Sequence, residues 1–126
     1  MMNDKEKKAW EMTLALWKDL GTTDYSDIFP KGTTDHNLKF ELIWEFKNNI
    51  LVKLGYPKSL HGCPFCQYFY MKKDCPLGSC YMSAACVQGY SYKKWVVDLL
   101  KCGKPNKQYA LQFYNELIKM SHMRWV

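Results

Sequence analysis

Residues 61–86 read HGCPFCQYFYMKKDCPLGSCYMSAAC and contain five of the six cysteines of the chain. The segment opens with a Cys-x-x-Cys turn, in which two sulfurs can converge on one metal ion while backbone N–H groups point at them. Further thiols follow among glycines and prolines, the residues that a folded loop needs. The spacing predicts a zinc site on Cys63, Cys66, Cys75 and one of Cys80 and Cys86.

The same thiols permit other interpretations. Buried cysteines often act as small hydrophobic residues, but five in one short segment favour metal binding. Cys-Pro-Phe-Cys is similar to the redox dithiol of glutaredoxins and thioredoxins, which needs a preceding strand that residues 58–62 do not predict. An iron–sulfur cluster on the same thiols is a lesser alternative. His61 is a further candidate, as a zinc ligand or as a hydrogen-bond donor to a ligand; the alternative is an exposed imidazole in a loop.

The N-terminal residues are charged, and no apolar run predicts a signal peptide or a membrane span. We therefore expect a cytoplasmic protein without a membrane partner. In that reducing compartment, clustered thiols bind metal more often than they form disulfides.

Apolar residues at helical spacing predict four long helices. The first covers about residues 5–20 and should stop at Gly21, before a loop over 21–35. The second starts near Asp35 or Asn37, runs to Leu54, and should be central because its apolar face is wide.

Two more helices are predicted after the cysteines. One is capped by Ser91 and ends at Gly103, and it places Cys102 beside Trp95 and Leu99 as a buried core thiol. The last helix covers the remaining C-terminal residues. The predicted fold is all-α: one domain over residues 1–126, with about four long helices around a small zinc knuckle inserted at about 61–90.

Positive charge is concentrated in the later part of the chain. Residues 1–46 hold six lysines and nine acidic residues, a net −3, whereas 47–126 hold eleven lysines and one arginine against three acidic residues, a net +9. Such a field attracts an acidic protein or a polyanion. The alternative is a surface that only keeps the protein solvated, because 17 of the 18 basic residues are lysines. The predicted partner surface consists of Lys72, Lys73, Lys93, Lys94, Lys101, Tyr90 and Tyr92.

The cysteine segment also resembles small cysteine-rich proteins of bacteriophages, mostly without assigned function. The shared elements are the Cys-x-x-Cys turn, Cys75-Pro76-Leu77, and Cys86 shortly before Gly89 and Tyr90. The chain departs from the pattern in having Lys72 where a further cysteine is usual, and in having the additional Cys80. The resemblance implies Cys86 as the fourth ligand, with Cys80 as its rival, and an accessory role inside a bacterial host.

These observations favour a binding protein over an enzyme. Asp35-His36-Asn37 is similar to part of an HNH nuclease, but no second metal-binding residue follows where one is expected. Four thiolates leave zinc no open position for water, so the zinc should be structural. We expect an effector or inhibitor that binds an acidic host or defence protein; the alternative is a protein that binds nucleic acid or a nucleotide. Scarce arginine weakens that alternative.

Overall fold

All regular secondary structure among the described residues is helical. The computed structural model describes residues 4–69 and 91–124, and within them there is no strand. The helices are α1 (Asp4–Thr22), α2 (His36–Lys53), α3 (Pro64–Phe69), α4 (Ser91–Cys102) and α5 (Lys107–Arg124), with a 3-10 turn at Leu60–Gly62. They pack into one unit, which confirms the all-α prediction and the four long helices. None of these helices is long and apolar enough to cross a membrane.

The central helix is α1, and the prediction that α2 is central is wrong. α1 packs against α5, α3 and α2 and buries eight residues: Ala9, Trp10, Met12, Thr13, Leu16, Trp17, Leu20 and Gly21. α2 buries Ile43, Lys47, Ile50 and Leu51, whereas Val52 is exposed. The apolar residues of α2 are numerous, but its neighbours cover only one side of it.

Aromatic side chains fill the centre of the core. The Trp17 ring meets Trp95 of α4 and Phe113 of α5 edge to face, with ring centroids 4.9 and 4.8 Å apart. Trp10, also on α1, meets Phe65 of α3 at 4.8 Å in the same manner. Edge-to-face pairs contribute about 0.5–1.5 kcal/mol each beyond the area they bury. These contacts fix α3, and therefore the first two cysteines, against α1.

The ends of α2 follow the local signals in the sequence. The Asp35 carboxylate accepts the Leu38 N–H at 2.9 Å, as an N-cap does. At the other end Gly55 has φ +90°, and the Tyr56 N–H donates to the Leu51 carbonyl at 2.9 Å, which is a Schellman ending. The predicted start and end of this helix are confirmed.

Gly21 does not stop α1, which continues to Thr22. A Cβ atom at Gly21 would lie 3.0 Å from the Cα atom of Leu111 on α5. Here glycine permits two helix backbones to approach closely, and the prediction of a helix stop was wrong for that reason.

The loop after α1 is held by a polar cluster at the ends of α1 and α2. The Tyr25 hydroxyl donates to the Asp19 carboxylate. Lys53 donates to the Tyr25 hydroxyl at 2.7 Å and to Asp19 Oδ1 at 3.1 Å. Further along the loop, Ile28 and Phe29 pack against the core.

Candidate metal centre

Cys63 and Cys66 lie on either side of the start of α3. The chain reaches them through the 3-10 turn, in which His61 and Gly62 have φ values of +57° and +64°. The Cys66 N–H then donates to Cys63 Sγ at 3.4 Å. An N–H group directed at a sulfur is the arrangement that a metal-binding Cys-x-x-Cys turn provides. These two thiols therefore fit one half of a tetrahedral zinc site.

Lys47 of α2 is buried beside the two thiols. Its side chain is part of the core, with a relative exposure of 2% for the residue. Its Nζ atom donates to the Tyr92 hydroxyl at 3.0 Å and lies 5.2 Å from the centroid of that ring. A buried ammonium group is costly unless a group that can carry negative charge lies nearby, and among the described residues Tyr92, Cys63 and Cys66 act on Lys47 in this way.

The charges of this cluster depend on one another. A hydrogen bond from Cys66 lowers the pKa of Cys63 to about 6, and the Lys47 ammonium and two backbone N–H groups add to that effect against the opposing effect of burial. Burial by itself would lower the pKa of Lys47, but the electrostatic influence of Tyr92 and then of Cys63 outweighs it, so the pKa of Lys47 is raised. The lowered pKa of Cys63 and the raised pKa of Lys47 both favour a thiolate beside an ammonium, and a thiolate is the form that binds metal.

His61 borders the cluster on the α2 side. Its ring is stacked on Trp44 with the centroids 4.4 Å apart. Burial, and then the positive charge of Lys47, lower the pKa of His61. The imidazole is therefore neutral at pH 7, which is the form that can donate a nitrogen to a metal.

The structure brings together only part of the predicted zinc site. Cys75, Cys80 and Cys86 lie outside the described residues. Within residues 4–69 and 91–124, no three His, Cys, Asp or Glu side chains group into a site for a metal ion. The complete ligand set stays a prediction, and Cys63 and Cys66 are its described half.

Sequence reasoning missed Lys47 and its contact with Tyr92. A signal for Lys47 was present, because it lies four residues after Ile43 and three before Ile50, on the row of α2 that faces the core. A charged residue in an otherwise apolar row indicates a buried partner.

Gly62 lets the thiol-bearing turn lie directly on Lys47. A Cβ atom at position 62 would come within 2.7 Å of Lys47 Cβ and 2.8 Å of the Trp44 carbonyl oxygen. We expect Gly62→Ala to lower the unfolding free energy by about 2 kcal/mol, through both the positive φ and this overlap. The matched control is Gly55→Ala, where φ is +90° and nothing lies within 4 Å, with an expected cost of about 1 kcal/mol. Equal losses of unfolding free energy for Gly62→Ala and Gly55→Ala, measured by urea denaturation, would show that the overlap costs nothing.

Part of the predicted partner surface lies on α4. Lys93, Lys94 and Lys101 are exposed there and surround Val97, which is also exposed. Tyr92 is not part of this surface: it is 8% exposed and packs in the core against Trp17 with ring centroids 5.3 Å apart. α4 directs Tyr92 into the core toward Lys47, so the prediction that Tyr92 is a surface residue is wrong. Lys72, Lys73 and Tyr90 lie outside the described residues.

Cys102 is exposed, so the prediction of a buried core thiol is wrong. It shares a helix face with Trp95 and Leu99, but it is the last residue of α4, and the packed part of that face ends at Leu99. Its thiol lies 3.6 Å from Asp98 Oδ1. The slight desolvation at the site, and then the Asp98 charge, raise the pKa of Cys102, so this thiol is not poised to bind metal.

The first turn of α4 is fixed by α5. The Ser91 N–H donates to Glu116 Oε1 at 2.9 Å, and the Ser91 hydroxyl donates to Glu116 Oε2 at 2.8 Å. A carboxylate at the N-terminus of a helix satisfies its unpaired N–H groups and opposes the positive end of the helix dipole. This clamp sets the direction in which the lysines of α4 point.

Comparisons with known proteins do not add a family to these observations. No protein-family model matches the sequence, and neither a curated protein nor a solved structure shows significant similarity to it.

Proposed function

We propose that this protein is a small zinc-stabilised binding protein that binds an acidic protein through α4. The zinc would be held by Cys63, Cys66, Cys75 and Cys86, with Cys80 as the rival for the fourth position. Support comes from the thiolate of Cys63, the N–H group directed at it, and the buried ammonium of Lys47. Zinc bound by four thiolates has no open position, so the role proposed for it is structural.

The observation that carries the binding role is the surface of α4. Three exposed lysines surround the exposed Val97, while the aromatic residues of the helix, Tyr92 and Trp95, are buried. An apolar contact within a rim of charge is typical of protein interfaces. Binding of single-stranded nucleic acid without sequence preference uses exposed aromatic rings, and α4 offers none. The partner is therefore an acidic protein, such as the host or defence protein that the resemblance to phage proteins implies.

Charge reversal on α4 tests this function. We expect Lys93→Glu, Lys94→Glu and Lys101→Glu together to weaken binding of the protein partner by about tenfold or more, because each lysine at the rim contributes a fraction of a kcal/mol. The partner would first be identified by mass spectrometry after affinity purification from the native cell, and its affinity then measured by calorimetry.

The control changes three exposed lysines on other elements, Lys18, Lys31 and Lys119, to glutamate. Both triple variants should keep the zinc content and melting temperature of the parent. Recovery of nucleic acid without a stoichiometric protein would contradict the proposal, as would equal weakening by the two triple variants.

A further inference from the structure

A cleft away from α4 lies between the first half of α1 and residues 57–67, and it borders the Cys-x-x-Cys turn at Pro64. Its volume is about 420 Å³, which is within the range of small-molecule sites. Lys5 and Lys8 line it from α1, and Lys58 lines it from the opposite wall. Three amines along the walls of a cleft of this size favour a negatively charged ligand.

The described residues that line the cleft carry positive charge only, because three lysines line it and no Asp or Glu does. Acidic residues do lie nearby on the same helix, with Asp4 and Glu6 in the first turn of α1 and Glu11 3.8 Å from Lys8. Both side chains of the Lys8–Glu11 pair are more than half exposed, and such pairs are weak. The lining of the cleft therefore carries a net positive charge that attracts an anion.

The wall opposite α1 is held in place by side-chain hydrogen bonds. The Asn48 amide bonds Ser59 twice, accepting its N–H at 2.8 Å and donating to its carbonyl at 3.0 Å. Gln67 accepts the Leu60 N–H at 2.9 Å. Lys58 therefore extends from a fixed backbone, and a ligand would not have to order this wall when it binds.

The floor of the cleft is apolar. It includes Ala9 and Met12 of α1, with 5% and 6% exposure, and the buried Pro64 at the start of α3. A bare inorganic anion would leave this surface in contact with water, whereas a ligand with a ring or a short alkyl chain would cover it. The combination of amines and an apolar floor selects for anions that carry an apolar group.

We propose that this cleft is a binding site for a small anion with an apolar body, namely a phosphate monoester or a carboxylate that carries one ring or a short alkyl chain. The anionic group lies among Lys5, Lys8 and Lys58, and the apolar body lies on Met12 and Pro64. The site uses none of the proposed zinc ligands and none of the lysines of α4, although Pro64 belongs to the Cys-x-x-Cys turn.

Three probes test the proposal by calorimetry on the full chain: phenyl phosphate, inorganic phosphate and benzyl alcohol. Phenyl phosphate should bind saturably, and each of the other two should bind at least about tenfold more weakly, because each lacks one of the two features that the cleft recognises. The absence of saturation by phenyl phosphate up to about 10 mM would overturn the proposal. Equal affinity for phenyl phosphate and inorganic phosphate would overturn the role of the floor.

Two double variants place the binding in the cleft. Lys5→Glu with Lys58→Glu should weaken phenyl phosphate about tenfold or more, and Lys5→Gln with Lys58→Gln should weaken it to a smaller extent. The control, Lys31→Glu with Lys119→Glu, makes the same change in net charge at exposed lysines that do not line the cleft. Equal weakening by the control pair, at unchanged melting temperatures, would show an unspecific charge effect and sink the assignment.

Discussion

Replacing Cys63 with serine is expected to remove the zinc and to lower the unfolding free energy by about 4 kcal/mol, the stabilisation that a ligand gives at about a thousand times its Kd. The physical reason is that a serine hydroxyl does not ionise near neutral pH, whereas the pKa of Cys63 is lowered to about 6. Loss of one thiolate from the described half of the site leaves the metal with too few ligands. Metal analysis and urea denaturation of protein purified without added zinc measure both effects.

Cys102→Ser is the matched control for this change. It replaces the same atom at the exposed end of α4, so the zinc content and the stability should stay at the parent values. A strong chelator added to the parent protein should reproduce the destabilisation seen in Cys63→Ser. If Cys63→Ser retained a full equivalent of zinc, or if the parent held neither zinc nor iron, the metal proposal would fail. A reversible Cys63–Cys66 disulfide in metal-free protein would point instead to a redox dithiol.

Lys47→Met should weaken zinc binding by about 100-fold, which corresponds to about 3 kcal/mol. Methionine is similar in length and apolar, so it fills the same buried space, but it removes the positive charge that faces the thiolates. The zinc-free form should lose much less stability, because without zinc and without Lys47 the thiols can take up protons and then need no counter-charge. Competition with a chromophoric chelator gives the zinc affinity, and the sulfur-to-metal charge-transfer band of the Co²⁺ form reports the thiolate ligands.

Two variants separate the charge of Lys47 from its other contacts. Lys53→Met makes the same substitution on the same helix at an exposed position and should leave the zinc affinity unchanged, although it removes the hydrogen bonds of Lys53 to Asp19 and Tyr25. Tyr92→Phe removes the hydroxyl partner of Lys47 but keeps the ammonium, so zinc should still bind. A zinc affinity in Lys47→Met equal to that of the parent would show that this lysine does not serve the thiolates.

Much of the fold could be predicted because its signals are local. α2 begins after Asp35 and ends before Gly55, and the hydrogen bonds at both ends join residues that are close in sequence. The sequence alone therefore predicts both ends. Gly21 gives the opposite lesson, since its role depends on Leu111, which is distant in sequence. The choice of central helix failed for a related reason: a wide apolar face on α2 does not say how much of that face other helices cover.

The candidate site was predictable to the same degree. The Cys-x-x-Cys spacing correctly indicates that Cys63 and Cys66 lie together, because a single turn determines it. The pairing of Lys47 with Tyr92 joins α2 to α4 across the core, and no local pattern encodes such a contact. Cys102 shows that helical periodicity gives the direction of a side chain but not the point along the helix at which the packing ends.

The clamp between Glu116 and Ser91 has a consequence for the stretch of chain between α3 and α4. The described residues on both sides of this stretch are anchored, because α3 packs on α1 and Ser91 is bonded to α5. Packing of the helices therefore fixes the two ends of the stretch relative to each other and offsets the entropy of closing that loop. For the proposed zinc site, this means that the cost of closing the loop between Cys66 and Ser91 does not oppose binding of the metal.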